Sequence, residues 1–123
     1  MFSYEVGSPA SREERAWALE AAGVATERIV VDPGFGFGKT LAHNVALFRA
    51  LPALASTGYR VLVGLSRKKS IGDITGRPVG ERAAGSVAAA LLAVQNGANF
   101  VRVHDVRETV DAMKVWMALG GER

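Results

Sequence analysis

Ile29-Val30-Val31-Asp32-Pro33-Gly34-Phe35-Gly36-Phe37-Gly38-Lys39-Thr40 is the stretch on which the reading of this chain turns. A β-branched apolar run ends in a carboxylate, and Pro-Gly stops it. Three glycines then alternate with two phenylalanines before a lysine. Such a loop can bring its backbone close to a ligand. Large apolar rings in a loop gain nothing unless they pack on something. The pattern reads as a strand delivering Asp32 to the rim of a site, with an aromatic loop folded over it. The plainer alternative is a strand ending in a turn that Asp32 caps.

Two common nucleotide loops are excluded. A P-loop needs glycine five residues before Gly38-Lys39-Thr40, and Pro33 stands there. The dinucleotide fingerprint fails because Gly34-x-Gly36-x-x leads to Lys39 and Gly36-x-Gly38-x-x leads to Leu41.

Outward from this stretch, apolar strands and helices alternate. Upstream, Ser11 with Glu14 three residues later predicts a capped helix to Ala22, stopped by Gly23. Residues 1–10 read as an irregular segment and 11–123 as the folded part. The first strand is expected over Arg28–Val31. Asn44 is expected to cap a helix running to about Ser56, which Pro52 should kink or split. Arg60–Gly64 has consecutive rather than alternating apolar residues, as in a parallel strand buried on both faces. A short turn is expected around Gly72, Gly76 and Pro78. Glu81–Asn96 is apolar nearly all round and predicts a helix buried on most sides. A third strand, Phe100–Val103, precedes a helix over Thr109–Leu119, and Trp17 and Trp116 are expected to pack.

Strand–helix alternation with buried-type strands implies an α/β fold of parallel βα units. Asp32, Ser66 with Lys68, and Arg102 with His104 all follow strand C-terminal ends, the edge at which parallel α/β architectures bind ligands. An ionised Asp32 can accept two parallel hydrogen bonds from an N–H/NH2 edge of a pterin or guanine-like ring. Lys68 follows a buried strand closely enough to reach acceptors in a cleft. Arg102 and His104 alternate along an extended stretch, share one side, and suit a diphosphate. A structural histidine bonded to a carbonyl is the rival reading for His104.

Asp32-Pro33-Gly34-Phe35-Gly36-Phe37-Gly38-Lys39, Gly64-Leu65-Ser66-Arg67-Lys68 and Arg102-Val103-His104-Asp105 together resemble the three signatures of the dihydropteroate synthase family, in that family's order. The resemblance covers about residues 11–119. It implies part of a (β/α)8 TIM barrel, namely the last three βα units with parallel strands, preceded by part of a helix. It also implies the condensation of 6-hydroxymethyl-7,8-dihydropterin diphosphate with p-aminobenzoate. By this resemblance Asp32, Gly64 and Lys68 would bind the pterin, and Phe37, Gly36, Ser66 and Lys68 the p-aminobenzoate. Arg102, Val103 and His104 would hold the diphosphate, and Lys68, Arg102 and His104 would be catalytic. Magnesium would ride on the diphosphate. The family's metal-side asparagine, its Thr-Arg pair and the Asp and Asn completing the pterin pocket come from earlier strands and have no counterpart here. Little or no turnover by this chain alone is therefore expected. Lys69 stands where the family often has serine and reads as solvated surface charge. Phe35 reads as a loop anchor and His43 as a helix-start residue.

A non-catalytic, self-associating pterin-binding module is the alternative, since three βα units leave open sheet edges. A pterin-dependent methyltransferase domain is a third reading, against which the Ser-Arg-Lys and Arg-Val-His runs argue.

Composition sets the remaining bounds. The 123 residues suffice for one core but fall short of the roughly 250 of a closed barrel. A net charge of +3 without a dense basic block suits small anionic substrates better than nucleic acid. The absence of cysteine excludes thiolate metal sites and fits the cytoplasm. His and acid spacing shows no protein metal site. No membrane span or signal peptide is read, and a homo-oligomer is expected.

Overall fold

A computed structural model describes residues 9–36 and 39–121. Helix α1 (Pro9–Ala21) leads through a 3-10 turn at Thr26–Arg28 into strand β1 (Val30–Val31). Helices α2 (Leu41–Arg49) and α3 (Leu51–Ala55) precede β2 (Arg60–Val63). Helices α4 (Lys69–Thr75) and α5 (Ala83–Gln95) then lead to β3 (Phe100–Val101), and α6 (Val106–Ala118) follows. The three strands lie side by side in chain order, all parallel. Val30 pairs with Arg60, and Leu62 with Phe100. This is the expected partial (β/α)8 arrangement: each strand returns through a helical connection to the next position of one parallel sheet.

Ile29, Val31, Val61 and Val63 form the core with Leu51, Leu54, Tyr59, Ala93 and Ala98. Both residues of β1 are buried, as consecutive branched residues in a parallel strand should be.

Several expected boundaries move. The first helix starts at Pro9, so Ser11 lies inside it and residues 9–10 are helical, not irregular; proline's fixed φ suits a first helical turn. Residues 1–8 lie outside the described residues. Arg28 belongs to the 3-10 turn, with its N–H on the Ala25 carbonyl at 2.9 Å, which shortens the first strand. The third strand ends at Val101, although the Arg102 N–H still reaches the Val63 carbonyl at 2.9 Å. Pro52 splits the helical connection as expected, in the first turn of α3.

Three corrections concern packing. The region around Gly72 is helix α4, not a turn. Trp17 is 58% exposed, because among the described α1 side chains Ala16 is buried and Leu19 packs partly against the core, while Trp17 lies outside that face. In α5 only Ser86, Ala90 and Ala93 are buried, since its neighbours α4, β3 and α6 leave the outer side uncovered.

Gly97 closes α5 at φ +111°, and a Cβ there would lie 2.4 Å from the Ala55 Cβ. Gly97→Ala meets both backbone strain and a contact that cannot swing aside. It should lower unfolding free energy by about 2 kcal/mol, read as a shifted urea midpoint at unchanged slope.

Candidate functional site

The described candidate site residues follow strand ends at the C-terminal edge of the sheet. Val30 and Val31 are buried, and Asp32 follows them at 4% exposure. One of its oxygens, Oδ1, accepts the Gly34 N–H at 2.9 Å. This fixes the carboxylate's rotamer and closes the Pro-Gly turn. The Gly34 carbonyl in turn accepts from Lys39 Nζ at 2.9 Å.

Phe35 is the expected loop anchor. Its ring is 1% exposed and tilts against Phe48 with centroids 6.0 Å apart. Its carbonyl accepts a hydrogen bond from Lys68 Nζ. The Lys68 stem lies across Gly36: a Cβ on Gly36 would sit 3.2 Å from Lys68 Cδ, and Gly36 has φ +86°. Only glycine accommodates both the left-handed backbone and this approach. Phe35, Gly36, Lys68 and Lys69 line an open cleft of about 230 Å³. Lys69 is exposed and pairs with Asp73 at 3.0 Å. Phe37 lies outside the described residues.

The turn carrying Lys68 is unusual. Arg67 has φ +59°, which among the described residues no other non-glycine side chain shares. A side-chain-bearing residue pays about 1–2 kcal/mol for that conformation and keeps it only when its surroundings hold it. Three contacts do so. The Arg67 N–H donates to Ser86 Oγ at 2.9 Å, Arg82 Nη1 donates to the Arg67 carbonyl at 3.0 Å, and Arg67 Nη2 pairs with Asp105 Oδ1 at 3.0 Å. The reversal at Arg67 is what sends Lys68 back across the β1 loop.

Beyond β2 and β3, the strand register carries on into the side chains. Arg102 lies opposite Gly64: a Cβ on Gly64 would be 2.8 Å from Arg102 Nη2. The space that Gly64 leaves is thus filled by a guanidinium, and a ring placed there must displace it. His104 lies opposite Ser66, whose Oγ accepts the His104 N–H at 3.1 Å and contacts Nδ1 at 2.9 Å. The Ser66 hydroxyl thus holds both the backbone and the ring of His104, and with one proton and two lone pairs it can bond Nδ1 in either tautomer. His104 therefore bonds to a side chain, not to a carbonyl. Val103 is half-buried between these two polar residues.

Asp32, Gly36 and Lys68 gather around the β1 and β2 ends, and Gly64, Ser66, Arg102, Val103 and His104 around the β2 and β3 ends, so Ser66 sits with His104 rather than with Gly36. Among the described residues, no group of three His, Cys, Asp or Glu could hold a metal ion, and no helix is long and apolar enough to cross a membrane.

Asn44 was missed by its expected role. Thr40 caps α2 instead, its side chain accepting the His43 N–H at 3.2 Å. Asn44 lies one turn in, buried at 4%, with both ends of its amide bonded. The available signal was an amide on the apolar stripe of Leu41, Val45 and Phe48. Ser86, Arg82 and Asp105 carry no comparable local signal, because they act on Arg67 from 15 or more residues away.

Comparison with known proteins follows this geometry closely. The family described as "Pterin binding enzyme" matches residues 8–104. A dihydropteroate synthase of Neisseria meningitidis serogroup C is 58% identical over 108 residues, covering 86% of this chain and 38% of that protein. The Xanthomonas albilineans dihydropteroate synthase in complex with 7,8-dihydropteroate superposes with a TM-score of 0.88 at 52% identity, covering 94% of this chain and 44% of that one. The same organism's enzyme with 4-aminobenzoic acid gives a TM-score of 0.91 at 46% identity, covering 99% of this chain and 49% of the other. The chain thus spans less than half the length of each of these three relatives.

Proposed function

This chain belongs to the pterin-binding enzyme family, and on that footing we propose that it supplies the pterin-edge and diphosphate-holding part of a dihydropteroate synthase. In the reaction proposed, the amine of p-aminobenzoate attacks the methylene carbon of 6-hydroxymethyl-7,8-dihydropterin diphosphate. A C–N bond forms, the C–O bond to the diphosphate breaks, and the amine loses a proton. Asp32 takes the N–H/NH2 edge of the pterin. Lys68, held between Phe35 and Gly36, meets both ring systems. Gly36 lies on the p-aminobenzoate side, whereas Ser66, expected there with it, holds His104. Arg102 leaves Gly64 to meet the departing diphosphate together with the His104 ring. Catalysis is then positioning and charge stabilisation at the leaving group.

The observation that carries this reading is the shared edge. Parallel register places Asp32, Lys68, Arg102 and His104 on three adjacent strand ends, where one elongated anionic ligand can span them. Magnesium would arrive on the diphosphate. The described residues offer it no cluster of protein ligands, and no step is assigned through it.

The assay is product formation by the 123-residue chain with both substrates and magnesium, alongside titration with the dihydropterin diphosphate. We expect measurable pterin binding, weakened in Lys68→Ala, and little dihydropteroate. Absence of pterin binding by the unmodified chain would overturn the reading. We further propose a homo-oligomer in the cytoplasm. An uncovered apolar face of α5, with Ala84, Val87, Ala88 and Leu91, supports the first, and the lack of cysteine is compatible with the second.

A further inference from the structure

We propose that Asn44 is a positioning residue that holds the glycine-rich loop at a fixed separation from the segment bearing Lys68. The role in catalysis rests on the function proposed above; the tie itself does not. Asn44 sits inside α2, where an amide has no propensity advantage, and it is 4% exposed. A buried amide is costly unless its hydrogen bonds are made. Both ends are used, and by different parts of the site. Oδ1 accepts the Gly36 N–H at 3.0 Å, and Nδ2 donates to Ser70 Oγ at 2.9 Å. The Gly36 N–H can only donate, so the amide's orientation is set by chemistry.

Gly36 and Ser70 belong to the two segments that line the cleft, the loop after β1 and the start of α4. Gly36 is the loop residue over which the Lys68 stem passes, and Ser70, 6% exposed, lies two residues after Lys68 in the first turn of α4. One rigid planar amide therefore spans loop and helix, and its O-to-N span sets the gap that Lys68 crosses. Glutamine would carry the amide one methylene too far. Aspartate can still serve: one oxygen accepts from Gly36 while the other accepts the Ser70 hydroxyl proton. Leucine matches the shape and makes neither bond. On the proposed roles, the p-aminobenzoate side at Gly36 should depend on this tie more than the pterin edge at Asp32.

The test uses the whole chain with Asn44→Leu, Asn44→Asp and Ser70→Ala. Three quantities are read: the exchange rate of the Gly36 amide by NMR, the affinity for dihydropterin diphosphate, and the affinity for p-aminobenzoate at saturating pterin. In Asn44→Leu, Gly36 exchange and the p-aminobenzoate dissociation constant should each rise about tenfold, with pterin affinity changed by about twofold at most. Asn44→Asp should stay near the unmodified chain in all three. Unchanged Gly36 exchange in Asn44→Leu, or equal loss of both ligands, overturns the proposal. Should Asn44→Leu fail to fold, Ser70→Ala decides: it breaks only the helix-side bond, and no change in Gly36 exchange or p-aminobenzoate affinity counts against the tie. Should the unmodified chain take neither ligand, the functional reading fails, and Gly36 exchange alone settles whether Asn44 holds the loop.

Discussion

Asp32→Asn should weaken pterin binding by about a hundredfold while leaving the fold intact. The substitution is isosteric. Its remaining oxygen can still accept the Gly34 N–H that Asp32 Oδ1 accepts at 2.9 Å, so the turn after β1 keeps its closure. What changes is the other end of the group. A carboxylate offers acceptors on both oxygens, matching an N–H/NH2 edge with two parallel charge-assisted bonds. The amide turns one of them into a donor facing a donor and removes the charge from the other. A hydrogen bond to a charged group contributes about 1.5–3 kcal/mol, so loss of one with repulsion in its place corresponds to about 2.7 kcal/mol, or a hundredfold in the dissociation constant. Fluorescence titration with the dihydropterin diphosphate measures it, and the urea midpoint checks the fold. An unchanged dissociation constant would mean that another group takes the pterin edge.

Asp32 was legible in the sequence because its signals are local. A β-branched run followed by Asp-Pro-Gly can do little other than end a strand with a carboxylate at its tip. Arg102 and His104 were legible for the same reason: alternation along an extended stretch puts them on one side, and continuation of the strand register sets them opposite Gly64 and Ser66. Asn44 was not. Asparagine near a predicted helix start is a reasonable cap, and only the folded chain brings Ser70, 26 residues on, to its Nδ2. Helix α4 was hidden by Gly72 within it and Gly76 at its end. Gly72 looked like a breaker, yet the Arg82 guanidinium lies where its Cβ would be, with Nη2 only 2.3 Å from that position. The missing side chain leaves the space that this guanidinium occupies, and no turn follows from it. Arg67 shows the limit most clearly. Nothing in Ser-Arg-Lys announces a left-handed backbone at its middle residue, because the groups that hold it there come from α5, the turn before it and the β3 end. Burial failed similarly at Trp17 and along α5, where a pattern states which side chains could pack but not which neighbours exist.

The largest stability effect is expected at Phe35, where fold and site share one residue. Its ring is as buried as the strand cores and tilts against Phe48 across the loop–α2 junction. Removing it in Phe35→Ala forfeits the transfer energy of a phenyl ring and leaves a cavity, together about 3–5 kcal/mol. A natural domain holds only about 5–15 kcal/mol in total, so the urea midpoint should fall by a large fraction of its value. Ligand binding should be lost as well, for a separate reason. The Phe35 carbonyl receives Lys68 Nζ, and the next residue, Gly36, is tied to Asn44. Without its anchor the loop no longer presents either group. Phe35→Leu separates the two effects. It restores most of the apolar volume at a cost of about 1.5 kcal/mol or less and leaves the backbone carbonyl in place. Pterin affinity in Phe35→Leu should therefore stay close to that of the unmodified chain at temperatures where Phe35→Ala is unfolded. If Phe35→Ala instead keeps the midpoint and loses only the ligand, the ring is a binding group rather than an anchor, and its burial against Phe48 does not describe the working loop.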